Sequence, residues 1–183
     1  DGAASDYRSV FGVILGTGVG GGIVINGALI EGPNAIAGEW GHNRLPAENG
    51  GGGPPCYCGR TGCIETYLSG AGLSEDHFSA TGKRLDARYI ATDANQGDDD
   101  AEATLKRYEV RLAMALSIVI NILDPEAIVL GGGLSNLSRL YENVPKLLPA
   151  HVFSDTVETL LIPPLHGDSS GVRGAAWLWP LVE

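Results

Sequence analysis

Three cysteines and a histidine crowd into the 27 residues from Glu39 to Glu65, EWGHNRLPAENGGGGPPCYCGRTGCIE. Three thiolates and an imidazole are the ligand set of a closed tetrahedral zinc site. His42 lies 14 positions before Cys56, and the cysteines run C-x-C-x4-C. Cys56 and Cys58, one residue apart, converge on one ion only from a turn, and Gly59 and Gly62 let the chain double back to deliver Cys63. Between Asn49 and Pro55 there is almost no apolar side chain. A metal would replace the missing core, with an apparent binding energy of about 10 to 16 kcal/mol in small zinc domains. Two alternatives stay open: the cysteines are small buried hydrophobes, or Cys63 pairs with Cys56 or Cys58 in a disulfide, which leaves one thiol over.

Around this stretch, 183 residues with 44 % apolar and 19 % charged side chains describe one well-packed globular domain. The 27 glycines cluster at 16–22, 50–53 and 131–133, where backbone must approach something closely. The net charge of −10, with no basic block, is the wrong sign for a nucleic-acid surface or an anionic membrane. No apolar run is long enough to span a bilayer, nothing resembles a signal peptide, and reduced cysteines in a metal site fit the cytoplasm. The chain starts at Asp1, with strand material soon after, and reads as part of something longer.

Val10–Leu15, the turn GTGVGGG over 16–22, and IVING read as strand, tight turn and antiparallel strand. The turn lacks the Lys-Ser/Thr of a P-loop, but its N–H groups and the Thr17 hydroxyl can meet a phosphate oxygen. A plain glycine-permissive hairpin explains the spacing equally well. Asn26-Gly27 signals a further hairpin into Ala28, Leu29 and Ile30. A helix over 64–76 is interrupted by Gly70 and Gly72, and 80–96 gives no clear pattern. Asp98, Asp99 and Asp100 cap a long helix over about 101–121, almost continuously apolar towards its end and stopped by Asp124-Pro125. A short strand at 127–130, the run Gly131, Gly132 and Gly133, and a helix over about 137–148 make a β-α unit. That glycine run is either a nucleotide contact beyond a strand end or a turn needing positive φ. A strand near 157–162 follows, and a last helix is expected from Ser169 or Ser170 through Trp179, with Trp177 and Trp179 as packing residues.

Together GTGVGGG, PNAIAGEWGHN, CYCGRTGCIETYLSG, NILDPEAIVLGGG and HGDSSGVRGAA resemble the ROK family of sugar kinases. The nearest resemblance is to bacterial fructokinases of the mannofructokinase type, with N-acetylglucosamine kinases close behind. It corresponds to the C-terminal part of such an enzyme, the N-terminal lobe being absent. The resemblance implies an α/β fold of the actin-like, ribonuclease-H-like class with a zinc-binding insertion at 33–65. It implies that Glu39 and Glu65 accept hydrogen bonds from sugar hydroxyls, and that His42 is both a zinc ligand and a neighbour of the sugar. Cys56, Cys58 and Cys63 would complete a structural zinc site. Gly16, Thr17, Gly18 and Gly20 would face the phosphates of ATP and its Mg²⁺, with Gly131, Gly132 and Gly133 near the nucleotide. The catalytic aspartate is expected upstream of Asp1, so this chain alone is expected to be inactive without a complementary N-terminal fragment. The implied reaction is phosphorylation of a hexose, fructose first, with glucose, mannose or an N-acetylhexosamine as alternatives, by a homodimeric enzyme. A sugar-sensing lobe of a ROK-type repressor is the alternative outside catalysis.

Overall fold

A computed structural model describes residues 2–46, 52–167 and 170–171. The first hairpin forms as its sequence suggests. Strand β1 (Ser9–Leu15) pairs antiparallel with β2 (Val19–Ile25), joined by a tighter turn than the glycine run implies. Only Gly16, Thr17 and Gly18 turn the chain, with the Gly16 N–H donating to the Gly18 carbonyl at 3.0 Å; Gly20, Gly21 and Gly22 already lie in β2. Asn26 and Gly27 both take positive φ, the two-residue hairpin geometry, and lead into the short β3 (Ala28–Leu29). Strands β4 (Ala127–Gly131) and β5 (Leu160–Ile162) then add in parallel, giving one mixed sheet in the order β3-β2-β1-β4-β5.

Alternation decides which face of the sheet is covered. Phe11, Val13 and Leu15 on β1 are buried, and the first two are paired in register with Ile128 and Leu130 of β4. These side chains join one buried cluster with Leu68, Leu73, Ile90, Leu105, Tyr108, Leu112 and Leu116 from the helices.

The helical part runs through α1 (Glu65–Leu68), α2 (Gly70–Thr81), α3 (Ala87–Asn95), α4 (Asp99–Leu123) and α5 (Arg139–Leu147). The helix read over 64–76 breaks at Ser69, not at either glycine. Ser69 takes an extended conformation, and its side chain accepts the Gly72 N–H at 3.0 Å, an N-cap for α2. The segment 80–96, silent in sequence, holds the end of α2 and all of α3. For α4 the acidic start is a true cap, with Asp98 accepting the Ala101 N–H at 2.8 Å. Burial on α4 runs through Leu112, Leu116 and Ile120, but its last turn projects outward and leaves Ile122 82 % exposed. A backbone reversal at Asp124, φ 48°, returns the chain to β4. Among the described residues no helix is long and apolar enough to cross a membrane. The helix expected through Trp177 and Trp179 falls, beyond Gly171, outside the described residues.

Candidate metal centre and substrate cleft

The excursion after β3 is fixed first by Trp40. Its buried ring meets Phe11 edge-on at 5.5 Å, and its Nε1 donates to the Gly20 carbonyl at 2.9 Å. The following residues run antiparallel to the segment after the last cysteine. Leu45 N–H donates to the Gly62 carbonyl, Ile64 N–H to Asn43 and Glu65 N–H to Gly41, at 2.8–2.9 Å, with a bridge between Arg44 and Cys63. That pairing carries His42 to Cys63 across 21 residues of sequence. A second small turn, Cys56 to Arg60, closed by Cys56 N–H to the Arg60 carbonyl at 2.8 Å, folds Cys56 and Cys58 onto the same point.

The four ligand atoms of His42, Cys56, Cys58 and Cys63 all lie within 4.8 Å of one another. His42 Nδ1 is 3.5 Å from Cys56 Sγ, and Cys58 Sγ is 3.6 Å from Cys63 Sγ. A tetrahedral ion with Zn–S near 2.3 Å and Zn–N near 2.0–2.1 Å requires edges of about 3.5–3.8 Å, which the His42–Cys56 and Cys58–Cys63 pairs already meet. The thiols are free, which removes the disulfide alternative. Burial, with hydrogen bonds from Cys58 and Cys56, pushes the Cys63 thiol up to about 12, whereas the Arg60 backbone N–H holds Cys58 down to about 7. A buried thiol of that kind ionises when a metal compensates its charge. The loop is therefore a His/Cys metal-binding loop consistent with zinc.

Immediately outside the ligands stand the two carboxylates. Glu39 is exposed on the loop before His42. Glu65 opens α1, and its Oε2 accepts the Val19 N–H at 3.0 Å, directly after the β1–β2 turn. A Cβ at Gly18 would stand 2.6 Å from that same oxygen, so the carboxylate can occupy its position because residue 18 has no side chain. Tyr57, which sequence reasoning passed over, projects between the two cysteines with its hydroxyl 2.8 Å from His42 Nε2. The Glu65 charge above all, then desolvation, Cys56 and Glu39, raise its phenol above the ordinary value.

The opposite side of the β1–β2 turn borders a cavity of about 580 Å³. Gly16, Thr17 and Gly133 line it, together with Ala87 and Ala91 from α3 and Leu134 beyond β4. It sits past the carboxyl ends of the parallel strands β1 and β4, the usual ligand position in an α/β sheet. Asp86 and Arg88 bring charge to its rim, and neither could be found from a segment without helical periodicity. Of the other glycines named from sequence, Gly20 lies within β2 and Gly131 ends β4. Gly132 takes φ 80° with its Cα packed on the Leu15 backbone, where a Cβ would meet the carbonyl oxygen at 2.5 Å. The turn thus touches a carboxylate site on one side and a largely apolar cavity on the other.

This arrangement defines an actin/ROK-type α/β kinase fold with a metal-binding loop. A ROK family glucokinase from Streptomyces griseus, solved in complex with glucose and AMPPNP, superposes with a TM-score of 0.85 at 27 % identity. The match covers 96 % of this chain and 62 % of that one. A ROK hexokinase from Thermus thermophilus gives 0.83 at 29 %, covering 96 % and 58 %. An N-acetyl-D-glucosamine kinase from Yersinia pseudotuberculosis is 42 % identical over 178 residues, 94 % of this chain and 59 % of the relative. The sequence model of the ROK family matches residues 1–181. The chain belongs to the ROK family, and it spans about six-tenths of the length of the curated relatives it matches.

Two narrower expectations are corrected by these matches. The leaning towards fructokinases of the mannofructokinase type gives way, since the relative at 42 % identity is an N-acetyl-D-glucosamine kinase. The motifs behind that leaning, GEWGHN and CYCG, supply Glu39, His42, Cys56 and Cys58, the metal clasp and its flanking carboxylate. The assignment of the chain to the C-terminal part alone gives way to a family match over 1–181.

Proposed function

We propose that the protein is an ATP-dependent sugar kinase acting on N-acetyl-D-glucosamine. The observation that carries this reading is the shared turn: Gly16 and Thr17 face the cavity, while Gly18 and Val19 rest against Glu65. A phosphoryl donor and a hydroxyl acceptor must meet within reacting distance, and a short rigid turn between two sites is a means of setting that distance. The apolar lining suits an adenine base, and the hydroxyl of Thr17 suits a phosphate oxygen. Mg²⁺ would arrive with ATP, bridging phosphate oxygens.

On the sugar side, ionised Glu39 and Glu65 are acceptors for hydroxyl protons. Zinc on His42, Cys56, Cys58 and Cys63 would be structural, because four protein ligands leave no position for water or substrate. Its contribution when bound is to hold the loop that carries both carboxylates. The choice of sugar is supported by the 42 % identical relative, which bears that name. A coupled assay of ATP consumption by the intact protein with N-acetylglucosamine, glucose, mannose and fructose tests it. N-acetylglucosamine is expected to give the highest kcat/KM, and E65A to lower it by at least about tenfold with the metal retained. Turnover that favours another sugar refutes the substrate, and sugar binding without phosphorylation of any of the four refutes the kinase reading.

A further inference from the structure

Tyr57 stands between two cysteine ligands, where the loop itself needs no large side chain. The residue is 84 % exposed, so burial does not account for the ring. The hydroxyl is 2.8 Å from His42 Nε2, and the two rings meet edge-on at 5.0 Å and 86°. The other nitrogen of that imidazole, Nδ1, faces Cys56 Sγ at 3.5 Å. A neutral imidazole that offers Nδ1 to a metal carries its proton on Nε2. Nε2 then donates, the phenol oxygen accepts, and the phenol keeps its own O–H to give away.

The two neighbouring carboxylates have no proton to give. Glu65 and Glu39, whose charges act on Tyr57, can only accept while ionised. A sugar hydroxyl can donate to them, but an amide carbonyl cannot. A 2-acetamido sugar brings such a carbonyl together with a methyl group. Desolvating the carbonyl without a donor would be costly, and the exposed ring also offers an apolar surface to the methyl.

We infer that Tyr57 is a specificity-determining residue, donating its O–H to the acetamido carbonyl of the substrate while its acceptance of the His42 Nε2–H holds the hydroxyl in place. The inference rests on the amino-sugar reading above. Calorimetric titration of wild-type protein and Y57F with N-acetylglucosamine and with glucose tests it, with metal content measured on both proteins. Y57F keeps the ring and removes the hydroxyl. Its affinity for N-acetylglucosamine is expected to fall roughly tenfold and that for glucose by less than about twofold, with metal unchanged. A wild-type protein that binds neither sugar overturns the sugar-site reading and this inference with it. A wild-type preference for N-acetylglucosamine that survives in Y57F overturns the role of Tyr57 alone. Equal loss on both sugars, or loss of metal, overturns it as well by assigning the hydroxyl to upkeep of the loop.

Discussion

Cys58 is the most exposed of the three thiols and the one whose ionisation the Arg60 backbone N–H most favours. Replacing it removes one of four donors while disturbing no buried packing. C58A is expected to take bound zinc from about one per chain to near zero and to lower the melting temperature by several degrees. Metal analysis and thermal unfolding check this, and a C58A protein that keeps its metal would exclude the four-ligand site. At this scale the sequence was legible wherever chemistry resides in side-chain type. Soft ligands announce themselves, so His42, Cys56, Cys58 and Cys63 were found before the antiparallel pairing that unites them was known. Tyr57 was not, because an aromatic residue between two cysteines acquires meaning only from its distance to His42. Glu65 is expected from the sequence as an acceptor for a sugar hydroxyl, whereas its hold on Val19, 46 positions away, depends on the missing side chain of Gly18.

Between elements, the strongest polar tie joins α4 to α5. Arg139 reaches both Glu102, at 2.6 Å, and the buried Glu109, which also accepts from Asn143 at 3.1 Å. Arg139 hydrogen bonds lower the Glu102 carboxyl below its ordinary value. A carboxyl whose folded pKa is depressed stabilises the fold above its unfolded pKa, about 4.3, and that contribution disappears as pH falls through the folded value. R139M is expected to destabilise by about 3 kcal/mol at pH 7, chiefly because Glu109 is left buried without its cation. The gap to wild type should narrow when denaturant midpoints are compared at pH 7 and pH 3, and a gap constant with pH would contradict the ion-pair origin. Elements with strong local signals were readable: the Asn26-Gly27 hairpin, the Asp98 cap, the strand before Gly131. Helix α3 was not, since Ile90 alone of its residues is buried and its packing on α4 is a tertiary fact. The break at Ser69 was hidden for a similar reason, as two glycines drew attention from the capping serine beside them.

For the whole molecule, the sheet places one short turn between the Glu65 carboxylate and the cavity. The parallel pairing of β1 with β4 opens the cavity at their carboxyl ends, and the hairpin partner β2 returns under the metal loop through Trp40 and Glu65. Fold class was readable because the glycine runs, the long capped helix and the cysteine cluster occur in a family-specific order. The substrate was not, since substrate choice turns on a few hydrogen bonds. The central claim is that the metal clasp holds the carboxylates where the sugar binds. Calorimetric titration of N-acetylglucosamine into zinc-loaded protein, and into protein stripped by a chelator under reducing conditions, tests it most directly. Loaded protein is expected to bind, with affinity falling at least about tenfold once metal analysis shows the zinc gone. Equal affinity in the stripped protein would contradict the claim.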